Sequence, residues 1–301
     1  MTYPRAHTVD PDQPGVYHCT SRCVRRAWLC GQDELTGRSF DHRKAWIEAR
    51  IIAMTEVFAV TVSSFAVMSN HYHVVARLDP RAVDDWSDEQ VAEHWLKLSR
   101  PARADKHAAK VGAIVGNPER LAELRKRLGS LSWYMKSINE PIARQSNRED
   151  GCTGRFWEGR FFSEALLDEG SVAAAMAYVD LNPVRAGMVE APEQAAHTAL
   201  ARRISPERAQ QRGLTALAAH HLTLKGYLAL LRWTVQVRGG IISPEGGEPP
   251  KMLPCSATDW LVRYESHRKR ARARGCRQAL RAHAAALGQH WLWGVRTATV
   301  T

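Results

Sequence analysis

Residues 66–78 read AVMSNHYHVVARL, and the parsing of this stretch decides the fold. The preceding run is rich in Val and Phe, Ser69-Asn70 interrupts it, and residues 71–78 resume a strand-like pattern. Two strands joined by a tight turn are therefore predicted. Within the second strand His71 and His73 stand at i and i+2 and share one face, where two imidazoles are able to grip one metal ion. An H-x-H pair also arises as paired core or surface histidines, so the motif alone leaves both readings open.

Upstream, residues 17–22 (YHCTSR) predict a first strand with Tyr17, Cys19 and Ser21 on one face and His18, Thr20 and Arg22 on the other. From 43 to 56, Trp46, Ile47, Ile51 and Met54 recur at helical spacing, giving a helix that feeds the hairpin. Downstream, a surface helix is predicted to about Leu98, and residues 101–118 show no steady period. Asn117-Pro118 marks a helix entry. Leu121, Leu124, Leu128, Leu131, Tyr134 and Ile138 then predict a long helix or a broken pair, with Gly129 and Pro141 as weak points. Gly151 and Gly154 bracket a loop leading into residues 155–166 (RFWEGRFFSEAL), and a helix over about 171–181 is stopped by Pro183. Beyond 201 the pattern predicts a helix over 214–233, a Gly/Pro-rich break over 239–250 and a last helical region over 260–293.

Near the end of the 171–181 helix, Tyr178 and Asn182 are four residues apart and share a face. An amide oxygen suits a hard cation. A tyrosine beside a metal has a specific use, as a nucleophile that attacks a phosphodiester. The same residues also suit a tyrosine packed on the sheet and an asparagine that caps the helix before Pro183.

The 301 residues are 45% hydrophobic and 24% charged, which fits a folded chain and argues against disorder. The most apolar stretch, 57–68, is shorter than the ~20 residues of a spanning helix, and the first ten residues lack an apolar signal core. Six cysteines without a C-x-x-C pair indicate neither a disulfide framework nor a zinc knuckle, so a cytoplasmic protein with reduced thiols is expected. Residues 201–301 hold 17 Lys and Arg against 5 Asp and Glu, a net charge of +12, which leaves −1 for the first 200. An uneven basic load is the footprint of a phosphate-backbone partner, although solubility explains a milder bias. Arg263, Arg268, Lys269, Arg270, Arg272, Arg274 and Arg277 stand there against one acid, Glu265.

Together the pieces resemble the single-tyrosine HUH transposases, specifically the REP-associated tyrosine transposases. The matching stretches are 17–22, 66–78, 155–162 (RFWEGRFF) and 178–188 (YVDLNPVRAGM), in the family's order over roughly the first 190 residues. The resemblance implies an α+β fold with a ferredoxin-like central antiparallel sheet and flanking helices, over residues 1–200. A mainly helical insertion at about 79–130 and a basic, mainly helical C-terminal extension over 201–301 set the chain apart from the smallest members. It implies His71 and His73 as metal ligands, Asn182 as the third ligand, Mg²⁺ or Mn²⁺ as the ion and Tyr178 as the nucleophile. Tyr134, a rival nucleophile, lacks a polar residue four positions on.

The implied activity is nicking and strand transfer on single-stranded or hairpin DNA through a 5′-phosphotyrosine, with no membrane partner and with a homodimer left open. Arg155, Trp157, Arg160 and Arg185 join Arg268, Lys269, Arg270, Arg272 and Arg274 as candidate DNA contacts, and Trp157 suits a core role equally. The alternatives are a catalytically idle DNA-binding regulator on the same scaffold and a metal-dependent hydrolase unrelated to DNA.

Overall fold

The computed structural model describes residues 7–24, 29–31, 37–99, 103–205, 207, 213–241, 243, 250, 255–290, 292 and 294–296. Its elements run β1 (Gly15–Arg22), α1 (His42–Thr55), β2 (Val60–Val67), β3 (His71–Leu78), α2 (Asp88–Leu96), α3 (Ala104–Val115), α4 (Pro118–Leu128), α5 (Leu131–Glu149) and β4 (Phe162–Leu166). There follow α6 (Glu169–Asp180), α7 (Asn182–Arg185), α8 (Ala199–Ile204), α9 (Leu224–Arg238), α10 (Ala257–Ser266), β5 (Ala273–Gly275), α11 (Arg277–Ala286) and β6 (Gly294–Arg296). The six strands form one sheet in the order β2-β3-β1-β4-β5-β6. The first four pair antiparallel, and β5 and β6 add on in parallel.

Alternation along the strands gives this sheet two buried faces. Tyr17, Cys19, Phe65, Tyr72 and Val74 point into the larger core, which they share with Ile47 and Ile51 of α1, Leu124 of α4 and Ile138 of α5. Ala66, Val75 and Leu166 point the other way, against α6, α9 and α10. The histidines of β3 belong to this second face.

Helix α6 is what reaches them. Every residue from Ser171 to Asp180 is buried, and the four alanines of EGSVAAAMAYVD present a thin surface to the sheet. Its ends are fixed by carboxylates. Asp168 accepts from the Ser171 amide at 2.7 Å as an N-cap, and also from Arg263 Nη1 of α10 at 2.9 Å and the Cys276 amide at 2.8 Å. At the other end buried Asp180 accepts from the Tyr227 hydroxyl at 2.7 Å and the Leu200 amide at 3.1 Å.

The hairpin and the entry at Asn117 match the sequence reading, with Asn117 accepting from the Arg120 amide at 3.0 Å. The helical pair breaks at Gly129, where a Cβ would stand 3.1 Å from the Pro80 carbonyl oxygen. Pro141, the other expected weak point, lies inside an unbroken α5. A proline there leaves the carbonyl four residues back without its helical donor, and Arg50 Nε supplies one to Ser137 O at 2.8 Å. Residues 101–118, read as aperiodic, contain α3, a helix that fully buries none of its residues and whose apolar face is a short one of Val111, Ile114 and Val115, all partly buried.

The C-terminal segment also departs from expectation. In place of one helical region over 260–293 it has two helices with the short strand β5 between them, because backbone of β5 docks on the open edge of β4, and β6 follows at Gly294–Arg296. Trp293 and most of the expected break over 239–250 lie outside the described residues. Among the described residues no helix is long and apolar enough to cross a membrane.

Ile138 is fully buried between α5 and the sheet. Ile138→Ala is expected to cost about 2–5 kcal/mol of stability in denaturant unfolding, and a loss below about 1 kcal/mol would contradict this packing.

Candidate active site on the second sheet face

The site is a row of polar side chains crossing three strands. Register sets His18 of β1 opposite Glu164 of β4 and Thr20 opposite His73 of β3, while Arg22 pairs with His71. Exposure falls along the row: Arg22 is exposed, His71 is partly buried, and His73, His18 and Glu164 are buried. The site therefore opens at its His71 end.

Each ring of the β3 pair is held through Nδ1. His71 Nδ1 lies 2.5 Å from Asn70 Oδ1, and His73 Nδ1 lies 3.0 Å from Thr20 Oγ1 and 2.9 Å from His18 Nε2. Asn182 of α7 approaches His73 from the helix side, its amide group 3.2 Å from Nε2, and a flip of that carboxamide presents Oδ1 in its place. Burial, with the charges of Arg22 and Arg185, pushes the His71 pKa down to about 4, and burial drives that of His73 well below its usual range. Neutral imidazoles with Nε2 unprotonated, beside an amide oxygen, are a donor set that fits a divalent cation.

Tyr178 of α6 completes the constellation. It is 8% exposed, and its ring centroid lies 6.0 Å from that of His73 at 89°, 6.1 Å from His18 and 5.5 Å from His267. The Arg185 guanidinium sits 4.5 Å from the centroid, and its buried Nη1 has no hydrogen-bond partner. α6 ends at Asp180, close to the expected stop, and Pro183 belongs to the short helix that follows. It occupies the first turn of α7, and the helical path continues with Arg185 N–H donating to Leu181 O at 3.0 Å, so Asn182 stays on the Tyr178 side.

Three residues of the row escaped the sequence reading. Glu164 Oε1 accepts from His18 Nδ1 at 2.9 Å and from His267 Nδ1 at 3.0 Å, and Arg274 Nη2 lies 2.9 Å from Oε2. That last contact is a charge pair without hydrogen-bond alignment, since Oε2 has no hydrogen-bond donor. Burial alone would raise the Glu164 pKa, but the hydrogen bonds from His18 and His267 hold it well below the usual carboxylate range. His18, Glu164 and His267 have ligand atoms within 4.8 Å of one another, so this group also has the composition of a metal site. The available signal was a lone acid alternating with apolar residues in FSEAL (162–166). His267 carried none, because its partner lies 103 residues away.

The other expected contacts divide. Arg155, Arg160, Arg268, Lys269 and Arg270 are exposed, and Arg270 sits 5.4 Å over the Phe162 ring on the site's side of the sheet. Arg272 is half-buried and donates to Gln289 Oε1 at 2.6 Å. Arg274 is not on a basic arm: it is 1% exposed and neutralises Glu164. Trp157 packs behind the sheet, edge-on to Tyr72, with its indole N–H donating to Asn139 O at 2.9 Å. Tyr134 is enclosed in the larger core, where burial drives its phenol far above the usual range.

No protein-family model matches this chain, and no curated protein matches it. Among solved structures it is similar to a REP-associated tyrosine transposase bound to a REP hairpin, with 14% identity and a TM-score of 0.41, covering 73% of this chain and 96% of that one. A likeness this distant leaves function to be argued from the chain's own residues.

Because burial depresses the His71 pKa, the unfolded chain takes up a proton between pH 6.5 and about 4 that the folded imidazole refuses. Stability from this group is present above pH 6.5 and lost as pH falls towards 4. In the metal-free protein, melting temperature measured relative to a His71→Asn variant should therefore fall across that window. A constant difference would contradict the buried, neutral His71.

Proposed function

We propose that this protein is a metal-dependent nuclease and strand transferase acting on single-stranded, hairpin-bearing DNA, with Tyr178 as nucleophile and His71, His73 and Asn182 as ligands of Mg²⁺ or Mn²⁺. The observation that carries the reading is the meeting of a helix-borne tyrosine and carboxamide with two Nε2-presenting histidines on one sheet face, with Asn182 3.2 Å from His73. The strand order β2-β3-β1-β4, all antiparallel, is also the order of a ferredoxin-like sheet.

When bound, the cation supplies charge neutralisation at the scissile phosphate. The chain supplies the rest. A phosphodiester enters at the His71 end, where exposed Arg22 and partly buried Arg185 offer positive charge, and Arg185 Nη1 has an unused donor beside the tyrosine. Tyr178 Oη attacks phosphorus, the Oη–P bond forms and the P–O3′ bond breaks. The products are a 5′-phosphotyrosine and a 3′-hydroxyl, the departing oxygen taking up a proton in place of the one the phenol gives up. Attack by a 3′-hydroxyl on the phosphotyrosyl ester reverses the step and joins strands. Arg155, Arg160, Arg268, Lys269 and Arg270 are exposed cations suited to the DNA backbone.

The test is to incubate the protein with Mn²⁺ and single-stranded oligonucleotides covering the palindromes that flank its gene, followed by a denaturing gel. A covalent adduct is expected, and both Tyr178→Phe and His71→Ala should abolish it. An adduct that persists in Tyr178→Phe would refute the nucleophile. Salt-sensitive binding with no adduct would favour a DNA-binding protein without chemistry.

A further inference from the structure

Behind His73 the hydrogen bonds run in one direction only. A carboxylate accepts and never donates, so the 2.9 Å contact to Glu164 Oε1 requires the proton on His18 Nδ1. With a single proton on the His18 ring its Nε2 is bare, and the 2.9 Å contact to His73 then takes its proton from His73 Nδ1. His73 is left with a lone pair on Nε2, the nitrogen that faces Asn182. The opposite tautomer of His73 would set two lone pairs against each other across the sheet.

We propose that Glu164 and His18 are positioning residues that fix the tautomer and ring orientation of His73 for metal binding, and that His267 clamps Glu164 in place. The proposal rests on the reading of His71, His73 and Asn182 as ligands. It makes the C-terminal segment part of the site, since His267 follows α10 and Arg274 lies in β5, the strand added to the sheet beside Glu164. A carboxylate behind a ligating histidine orients the ring and raises its basicity, and here the carboxylate acts through a second imidazole. Register alone accounts for the alignment: Glu164 and His18 are direct neighbours across β4 and β1, and His18 is the diagonal neighbour of His73 across β1 and β3. A metal ion among His18, Glu164 and His267 fits less well. Two nitrogens share one carboxylate oxygen at 2.9 and 3.0 Å, distances of N–H···O bonds, and a guanidinium already neutralises the other oxygen.

Two measurements on the full chain test this. Long-range ¹H–¹⁵N spectra of histidine-labelled, metal-free protein should show His73 protonated on Nδ1, and a His73 protonated on Nε2 would overturn the proposal. Mn²⁺ titration followed by electron paramagnetic resonance should give one site, weakened about 10–100-fold in His18→Leu and largely restored in His18→Gln, whose amide oxygen again accepts from His73. Hairpin-DNA binding and melting temperature in the absence of metal report whether each variant is folded. Unchanged affinity in a folded His18→Leu would overturn the proposal, as would a second Mn²⁺ lost in His267→Ala, which would mean that the three residues hold an ion themselves. A wild-type protein that binds no Mn²⁺ would refute the ligand reading instead, and the tautomer spectra would still decide the direction of the chain.

Discussion

A carboxylate buried at the middle of a sheet has to be matched by partners, and Glu164 draws hydrogen bonds from β1 and from the residue that follows α10, and an opposite charge from β5. Isolated, such a charge would carry a desolvation penalty of several kcal/mol, so the three elements are not independent choices. Once Glu164 is ionised, His18 must donate to it, a singly protonated His18 accepts from His73, and the C-terminal chain must return to the sheet. The polar row on the second face is in this sense one object, made of residues whose sequence separations run past one hundred.

The rest of the molecule holds that row still. On the opposite face, Tyr72 and Val74 sit in a large apolar core with α1, α4 and α5, and because side chains alternate along a strand, anchoring them aims His71 and His73 at α6. Helix α6 is thin where it meets the sheet and fixed at both ends by Asp168 and Asp180. Asp168 also binds Arg263 and the Cys276 amide, so the C-terminal segment that clamps Glu164 also clamps the helix carrying Tyr178. Nucleophile, ligands and their supporting carboxylate thus share a single set of anchors.

Much of the local structure was legible in the chain. The break at Ser69-Asn70 between two Val-rich runs marked the hairpin, Asn117-Pro118 marked a helix start, and the spacing of Tyr178 and Asn182 put both on one side of a helical path. The misreadings have local physical causes. α3 fully buries no side chain and shows only a short apolar face at its C-terminal end, while Pro141 stays helical because Arg50, on another helix, satisfies the carbonyl it strands. The seven cations of the C-terminal segment looked alike in composition, yet Arg263 and Arg274 are buried beside Asp168 and Glu164.

What the sequence by itself determined was set by neighbours: which residues form strands and helices, which side of a strand each histidine occupies, and which residues a helical turn brings together. These follow from periods of 2 and 3.6 residues and from caps and turns, all short-range properties of the chain. What only the tertiary structure decided was which distant residue each polar side chain meets. That His18 faces Glu164, that His267 closes on the same oxygen, and that Trp157 packs behind the sheet away from the histidines are matters of strand register and chain return. They are fixed by the need to bury two faces and leave no charge unmatched, a condition that only the whole chain satisfies.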